Sequence, residues 1–536
     1  MFRKNEYQQM NFNDSVLNMP KYLQKILKNC WAHDFQEYVF PAINEDRFEV
    51  LYSDQPSRPN SPINVIISAL VLKEIFGLSD EELLGSIYFD DRYQYALRLT
   101  SEERPPISIN TFTNFRQRVY AYEKETGRDL IKEEVESISK VIADTLKIDN
   151  KKVRVDSFMV SSSCKKLSRI ELVYTVNANF IKKLNELDKA LIPNTCISYL
   201  EKGHKNETIY KTRDKASESK LKYLLKQSQM LYRAALKSDS KIRETREFKL
   251  LKRLLNEQTD HDDFDDLSPD NIEVKDGKTL NSTVLQNPSD PDATYRFKYT
   301  GNIGYTANVV EVFDDKNNII KAYDFKPNIY SDQKFSADTI EKISSPSLLE
   351  KPIKMIVDGA YFTIDLAKEA SKKGIEMIPG QLVGRKQNSS KMNYASNFKI
   401  NEKNLVISCA NDKEPFYSYY DAEKDVCTAK FSKEICSNCN KNKACRIQFQ
   451  KKANTVRFDK DRYLRDLYRN QMKTEEYIEL TNQRAGVEGL TSIFRRVYNV
   501  DSMPVRGEVR SKFYFGFKVL ASNVKKIFGN PIIATV

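Results

Sequence analysis

Histidine is scarce: His33, His204 and His261 are the only three in 536 residues, and none sits in a nucleophile, zinc-protease or phosphate-loop arrangement. Chemistry built on an imidazole acid or base is therefore not expected. No Gly-x4-Gly-Lys-Ser/Thr loop and no dinucleotide fingerprint occurs, so an ATP-driven or redox enzyme has no support. No apolar run approaches the ~20 residues that span a bilayer. The start, MFRKNEYQQMNF, has no apolar stretch behind its basic residues, so no secretory signal is read and a cytoplasmic protein without membrane association is expected. Internal repeats and extended low-complexity tracts are also missing.

What is present is globular in composition, with 40% hydrophobic and 11% aromatic residues. The length favours two to four domains. Lys and Arg number 86 against 74 Asp and Glu, giving +12 and a pI near 9.0. That balance suits a polyanion, because neutralised phosphates release condensed counterions. A lysine-rich composition alone gives the same charge, so the motifs must decide. Of eight cysteines, five crowd between Cys409 and Cys445, which suggests metal rather than disulfides.

Along the chain, a partly helical lead-in ends at the Pro- and Ser-rich break Ser53 to Pro62. Apolar residues then recur at helical steps from Asn64 to Leu97, with Ser79 placed to cap a second helix. Ser108 or Asn110 offers a cap for a further helix carrying Arg116 and Arg118, and the set is compatible with a helix-turn-helix-like DNA-binding unit over 1–145. KKVRVDSFMVSSSC reads as a buried strand containing Asp156. Residues 170–279 read as a basic helical insertion closed by the acidic HDDFDDLSPDN. GYTANVVEVFDD, NNIIKAYDFKPN and PIKMIVDGAYF read as strands, with a helix at SDQKFSADTIEKI. A polar, cysteine-rich segment fills 386–459, and a long helical tail runs from about Asp459 to Phe528. Strands and helices in this order predict an α/β fold, a mixed sheet with helical layers.

Asp156 closes VRVD and Asp358 closes MIVD, so each acid lies where an apolar strand leaves the core. Two carboxylates from neighbouring strands and a third from a helix make the oxygen-rich pocket that Mg²⁺ or Mn²⁺ needs for phosphoryl transfer. In NQRAGVEGLTSIFRRVYNV, Arg484, Glu488 and Arg495 are spaced by four and seven and share a helix face.

These residues carry a resemblance. IVDGAYF resembles the second-aspartate strand of bacterial insertion-sequence DDE transposases, and Arg-x3-Glu-x6-Arg is similar to their Tyr-x2-Arg-x3-Glu-x6-Lys signature. QNPSDPDATYRFK, GYTANVVEV and NIYSDQKF look like the run these enzymes carry between their first two aspartates. The chain is most similar to the group numbered eleven eighty-two, with an InsH-type N-terminal region, over residues ~45–525. Thr481 stands where the signature has tyrosine, and Arg495 where it has lysine. The resemblance implies an RNase H-like catalytic domain, assembled from 146–169, 280–385 and 460–528. It implies Asp156, Asp358 and Glu488 as the catalytic acids, holding two Mg²⁺ or Mn²⁺ ions. Arg484 and Arg495 become DNA-phosphate contacts, and Arg506 belongs to a downstream Arg-Gly element; Arg116 and Arg118 are the expected N-terminal contacts. The implied reaction is cleavage at transposon ends and strand transfer into target DNA. The implied partners are the double-stranded terminal inverted repeats and target, bound by a homodimer associated with the nucleoid. An inactive transposase-derived DNA-binding protein, or a nuclease without joining activity, would share the same motifs.

Cys436-x2-Cys439-x5-Cys445 supplies three thiolates for a tetrahedral Zn²⁺, and spacing leaves Cys409 and Cys427 both open as the fourth. The family resemblance favours Cys409.

Overall fold

The computed structural model describes residues 1–5, 14–53, 55, 59–102, 106–210, 217–261, 264–265, 267–298, 300–343, 352–383, 394–441 and 445–530. The break expected at 53–62 and the acidic HDDFDDLSPDN lie partly outside them.

A six-stranded mixed sheet forms the centre. Its strands are β1 (Lys152–Ser161), β2 (Thr294–Lys298), β3 (Thr300–Phe313), β4 (Asn318–Pro327), β5 (Ile353–Val357) and β6 (Ile375–Pro379). β1, β3 and β4 pair antiparallel, β2 extends the start of β3, and β5 and β6 run parallel to β1. Helices Asp332–Ile343 and Ile364–Lys372 make the crossovers that the parallel strands require. Ala307, Val309, Val310 and Val312 of β3 are all buried, as a strand covered on both faces demands. This is the RNase H-like α/β arrangement anticipated from the sequence, with helical layers and an all-helical N-terminal region. Strands β2 and β6 add to the four that the apolar patterning predicts.

Helix Ile63–Phe76 is apolar all round and accordingly buried along nearly its whole length. Gly77 stops it at φ 67°, a left-handed cap that costs a glycine little. The next helix opens with a reciprocal box, Ser79 accepting from the Glu82 amide and Glu82 from the Ser79 amide. Ser108 is the N-cap of helix Ile109–Thr126, while Asn110 lies inside it. Helix Glu508–Val524 packs against Ile63–Phe76, against Leu130–Thr145 and against β4. The N-terminal helices and the sheet therefore share one continuous core.

Among the described residues three smaller apolar clusters stand apart from that core, one of them around Phe313, Ile356, Ile378, Tyr477 and Leu480. Residues from Leu172 to Leu285 surround their own apolar cluster, where Tyr232 and Phe248 stack at 5.3 Å. From Ala395 to Phe458 a third cluster forms around Phe398, Phe431 and Phe458. That third region is not irregular: strands Tyr417–Asp421, Val426–Phe431, Gln448–Phe449 and Asn454–Asp459 make a four-stranded sheet. Its apolar signal is weak because tyrosines 417 and 419 turn outward and are exposed. The tail is helical as expected, divided into the α-helices Lys460–Gln471, Glu475–Asn482, Ala485–Arg496 and Glu508–Val524. Among the described residues no helix is long and apolar enough to cross a membrane.

Candidate active site

Parallel pairing of β1 with β5 aligns Val155 with Val357, so the next residues, Asp156 and Asp358, emerge side by side on neighbouring strands. Adjacent strands lie ~4.8 Å apart, which brings both carboxylates within reach of a common cation. Asp156 accepts from the Ser157 amide at 2.9 Å and Asp358 from the Gly359 amide at 2.8 Å. Glycine is required after Asp358, since a Cβ at 359 would stand 2.6 Å from the Gln381 carbonyl oxygen.

Glu488 comes from helix Ala485–Arg496, whose break from the preceding helix lets it begin beside the sheet. Arg484 joins it to the strands: Nη1 lies 3.8 Å from Asp358 Oδ1 and Nη2 lies 3.5 Å from Glu488 Oε1. Glu488 is 67% exposed and Asp358 35%, so both face solvent at the rim. Burial pushes the Asp156 carboxyl up from its ordinary range and the neighbouring Asp358 charge adds to this, while the Ser157 amide, Arg484 and Lys298 oppose it. The structure thus gathers Asp156, Asp358, Glu488 and Arg484, with a guanidinium standing between two of the acids.

The surroundings contain groups that the motifs did not single out. Ser157 Oγ donates to Asp332 at 2.9 Å, and Arg296 lies 3.6 Å from the same acid. Buried Tyr361 donates to Asn308 Oδ1 at 2.8 Å, and burial together with Asp332, Asp156 and Asp358 raises its phenol well above the ordinary value. Arg154, buried on β1, reaches the start of the Glu488 helix. Asp332 and Tyr361 lie in the family-like runs NIYSDQKF and IVDGAYF, which was a usable signal; Arg154 left none. Thr481, at the signature's tyrosine position, turns back to its own helix carbonyls at 477 and 478.

The remaining arginines lie apart from the acids. Arg495 is half exposed, 3.9 Å from Asp501, and Arg506 donates to the Ser163 carbonyl at 2.6 Å. Arg118 is exposed and lies over the Tyr52 ring at 4.7 Å. Arg116, expected as an N-terminal DNA contact, is instead buried, and its Nη1 and Nη2 are both committed to Asp80 at 2.5 and 2.8 Å. Burial alone would raise the Asp80 carboxyl, but Arg116 and Lys73 bring it down to about 2. Arg116 therefore ties two helices together rather than facing a ligand.

Cys409, Cys436, Cys439 and Cys445 line one cavity of ≈ 200 Å³. Burial and the three neighbouring sulfurs push the Cys445 thiol up to about 11. Cys427 stands elsewhere, its Sγ donating to the Asn404 carbonyl at 3.3 Å. Among the described residues no three His, Cys, Asp or Glu side chains close on a point in ready-made metal geometry. Four thiols nonetheless share that one cavity, and Asp358 and Glu488 flank the Arg484 guanidinium.

Residues 408–528 match the family model described as Transposase DDE domain, and residues 26–118 match that described as Transposase domain (DUF772). The first match includes Glu488 and the four cysteines; Asp156 and Asp358 precede it. No curated protein and no solved structure matches the chain. The two matches support a DDE transposase family for this chain.

Proposed function

We propose, from that family support, that the protein is a DNA transposase that cuts transposon ends and joins them to target DNA through Asp156, Asp358 and Glu488. The observation that carries the reading is the adjacency of Asp156 and Asp358 on paired parallel strands, with Arg484 reaching from Asp358 to Glu488. A neutral pocket would need no such cation. Divalent ions held by these acids would supply Lewis-acid activation of the attacking oxygen and charge stabilisation of the leaving one.

The protein's own groups do the rest. The strands fix Asp156 and Asp358 against each other, and the helix brings Glu488 to their open side. Arg484 balances the acids without metal and becomes a phosphate contact once their charge is met by cations, its planar fork matching two phosphate oxygens. Arg495, Arg506 and Arg118 extend the contacts along the DNA; Arg116, spent on Asp80, is not among them. The four clustered cysteines hold a structural zinc that braces the segment between Asp358 and Glu488.

The test is Mg²⁺-dependent cleavage of the DNA ends that flank the protein's own reading frame. Asp156→Asn, Asp358→Asn and Glu488→Gln should each lower cleavage by about a hundred- to a thousandfold, the scale on which removed charge-stabilising groups act. End binding should persist. Undiminished cleavage in any one variant removes that residue from the trio.

A further inference from the structure

Arg154 lies two residues before Asp156 on β1 and so projects from the same face of the sheet. Its side chain is 9% exposed, and that of Glu311, its direct cross-strand partner on β3, is 1% exposed. Arg154 Nε donates to Glu311 Oε2, and Asn318 Nδ2 donates to Glu311 Oε1. The guanidinium lies over the Phe313 ring at 4.6 Å. Held on these sides, Nη1 donates to the Gln483 carbonyl at 2.8 Å, immediately ahead of the helix that carries Glu488.

The helix also rests directly on this group. A Cβ at Gly486 would run into Arg154 Nη1 and Cζ and would stand 2.6 Å from Nη2. Arg484, at the N-cap position, has helical backbone angles and makes no side-chain cap bond. Arg154 thus satisfies the C-cap carbonyl of the preceding helix, Glu475–Asn482, while Gly486 closes on its guanidinium, so the junction between the two helices is pinned from the sheet. An ion pair buried this deeply carries a desolvation cost that the β1–β3 ladder does not require, since backbone bonds already hold those strands. Its distinctive contact is the one to the helix.

We infer that Arg154, set by Glu311, is a positioning residue that seats the Glu488 helix and thereby fixes Glu488 against Asp156 and Asp358. The role rests on the acidic site proposed above and adds the part that aligns its third ligand. Glu488 lies in the first turn of the helix, so a displaced start moves its carboxylate directly.

The test uses the full chain as purified, with Mn²⁺ as the probe. Its binding is followed by the magnetic resonance signal of the free ion, and amide exchange is followed across residues 484–490. Arg154→Lys keeps the charge but lacks the fork that reaches Glu311 and Gln483 together. The double variant Arg154→Met/Glu311→Gln removes both charges, leaving no orphaned buried ion. Gly486→Ala keeps the pair and pries the helix from it. Each should speed exchange at 484–490 and weaken Mn²⁺ binding by about tenfold or more, the range for groups that orient metal ligands. Glu488→Gln should weaken binding without speeding exchange. Unchanged exchange, or unchanged Mn²⁺ affinity, in the folded double variant overturns the role of Arg154. A wild-type chain that binds no Mn²⁺ overturns the acidic-site reading and this role together. Loss of affinity in Glu488→Gln, with none in the Arg154 variants, overturns only the latter.

Discussion

Asp156 is placed where its charge is disfavoured, first by burial and then by Asp358. A carboxyl whose pKa is higher folded than unfolded destabilises the fold once pH rises past its unfolded value, and that cost is complete above the folded value. Asp156→Asn should therefore raise the melting temperature of the metal-free protein at pH 7. The advantage should shrink as pH falls toward 3.8, the ordinary value for the group, because both states then bind the proton. Thermal melts at pH 4 and pH 7 in a chelating buffer check this, and an Asn variant less stable than wild type at pH 7 contradicts it. The same residue would thus cost the resting protein stability and serve it when a cation is bound, a trade common at functional sites. The cysteines make a second residue-scale prediction. Cys409→Ser should lose the one zinc expected per chain, whereas Cys427→Ser, directed at the Asn404 carbonyl, should retain it. Elemental analysis of the two purified variants separates them, and zinc lost from Cys427→Ser alone reverses the assignment.

Helices and strands divide the arginines into structural and free ones. Removing Arg116 would leave Asp80 paired with Lys73 alone, so Arg116→Ala should cost about 2 kcal/mol, within the range for lost hydrogen bonds to a charged group. Arg118→Ala loses an exposed contact with Tyr52 worth about 0.5–1 kcal/mol. It should instead weaken end binding. Urea titrations and DNA-binding curves on both variants test the division; equal stability losses contradict it. At this scale the sequence was most readable where the pattern was local. Apolar runs ending in acid marked β1 and β5, Ser79 marked its helix start, and the 484, 488, 495 spacing marked one helix face. What depended on distant partners was hidden. Arg116 looked like a free basic residue because Asp80 lies 36 positions away, and Arg154 gave no sign of Glu311 or Gln483, 157 and 329 positions away. The strands of 417–459 escaped because outward tyrosines blur an alternation that burial would sharpen.

On the proposed function, Asp156, Asp358 and Glu488 would make one catalytic centre per chain, whereas two DNA ends must be processed. An assembly of two chains on paired ends is therefore expected, with the basic helical segment before His261 and the Arg118 helix as the surfaces that grip DNA. Binding should weaken steeply with salt as several phosphate contacts release counterions together. The mass of the end complex, formed with metal withheld, checks the stoichiometry, and a one-chain complex that joins both ends when Mg²⁺ is restored contradicts it. The N-terminal helices share a core with the sheet, which joins the region expected to bind DNA rigidly to the site expected to cut it. The central claim is that one set of acids performs joining as well as cleavage. Its most direct measurement is strand transfer of a pre-cleaved transposon end into plasmid DNA by the purified chain with Mg²⁺. The account predicts joined product from wild type and none from Glu488→Gln at equal end binding; joined product from Glu488→Gln at the wild-type rate would contradict it.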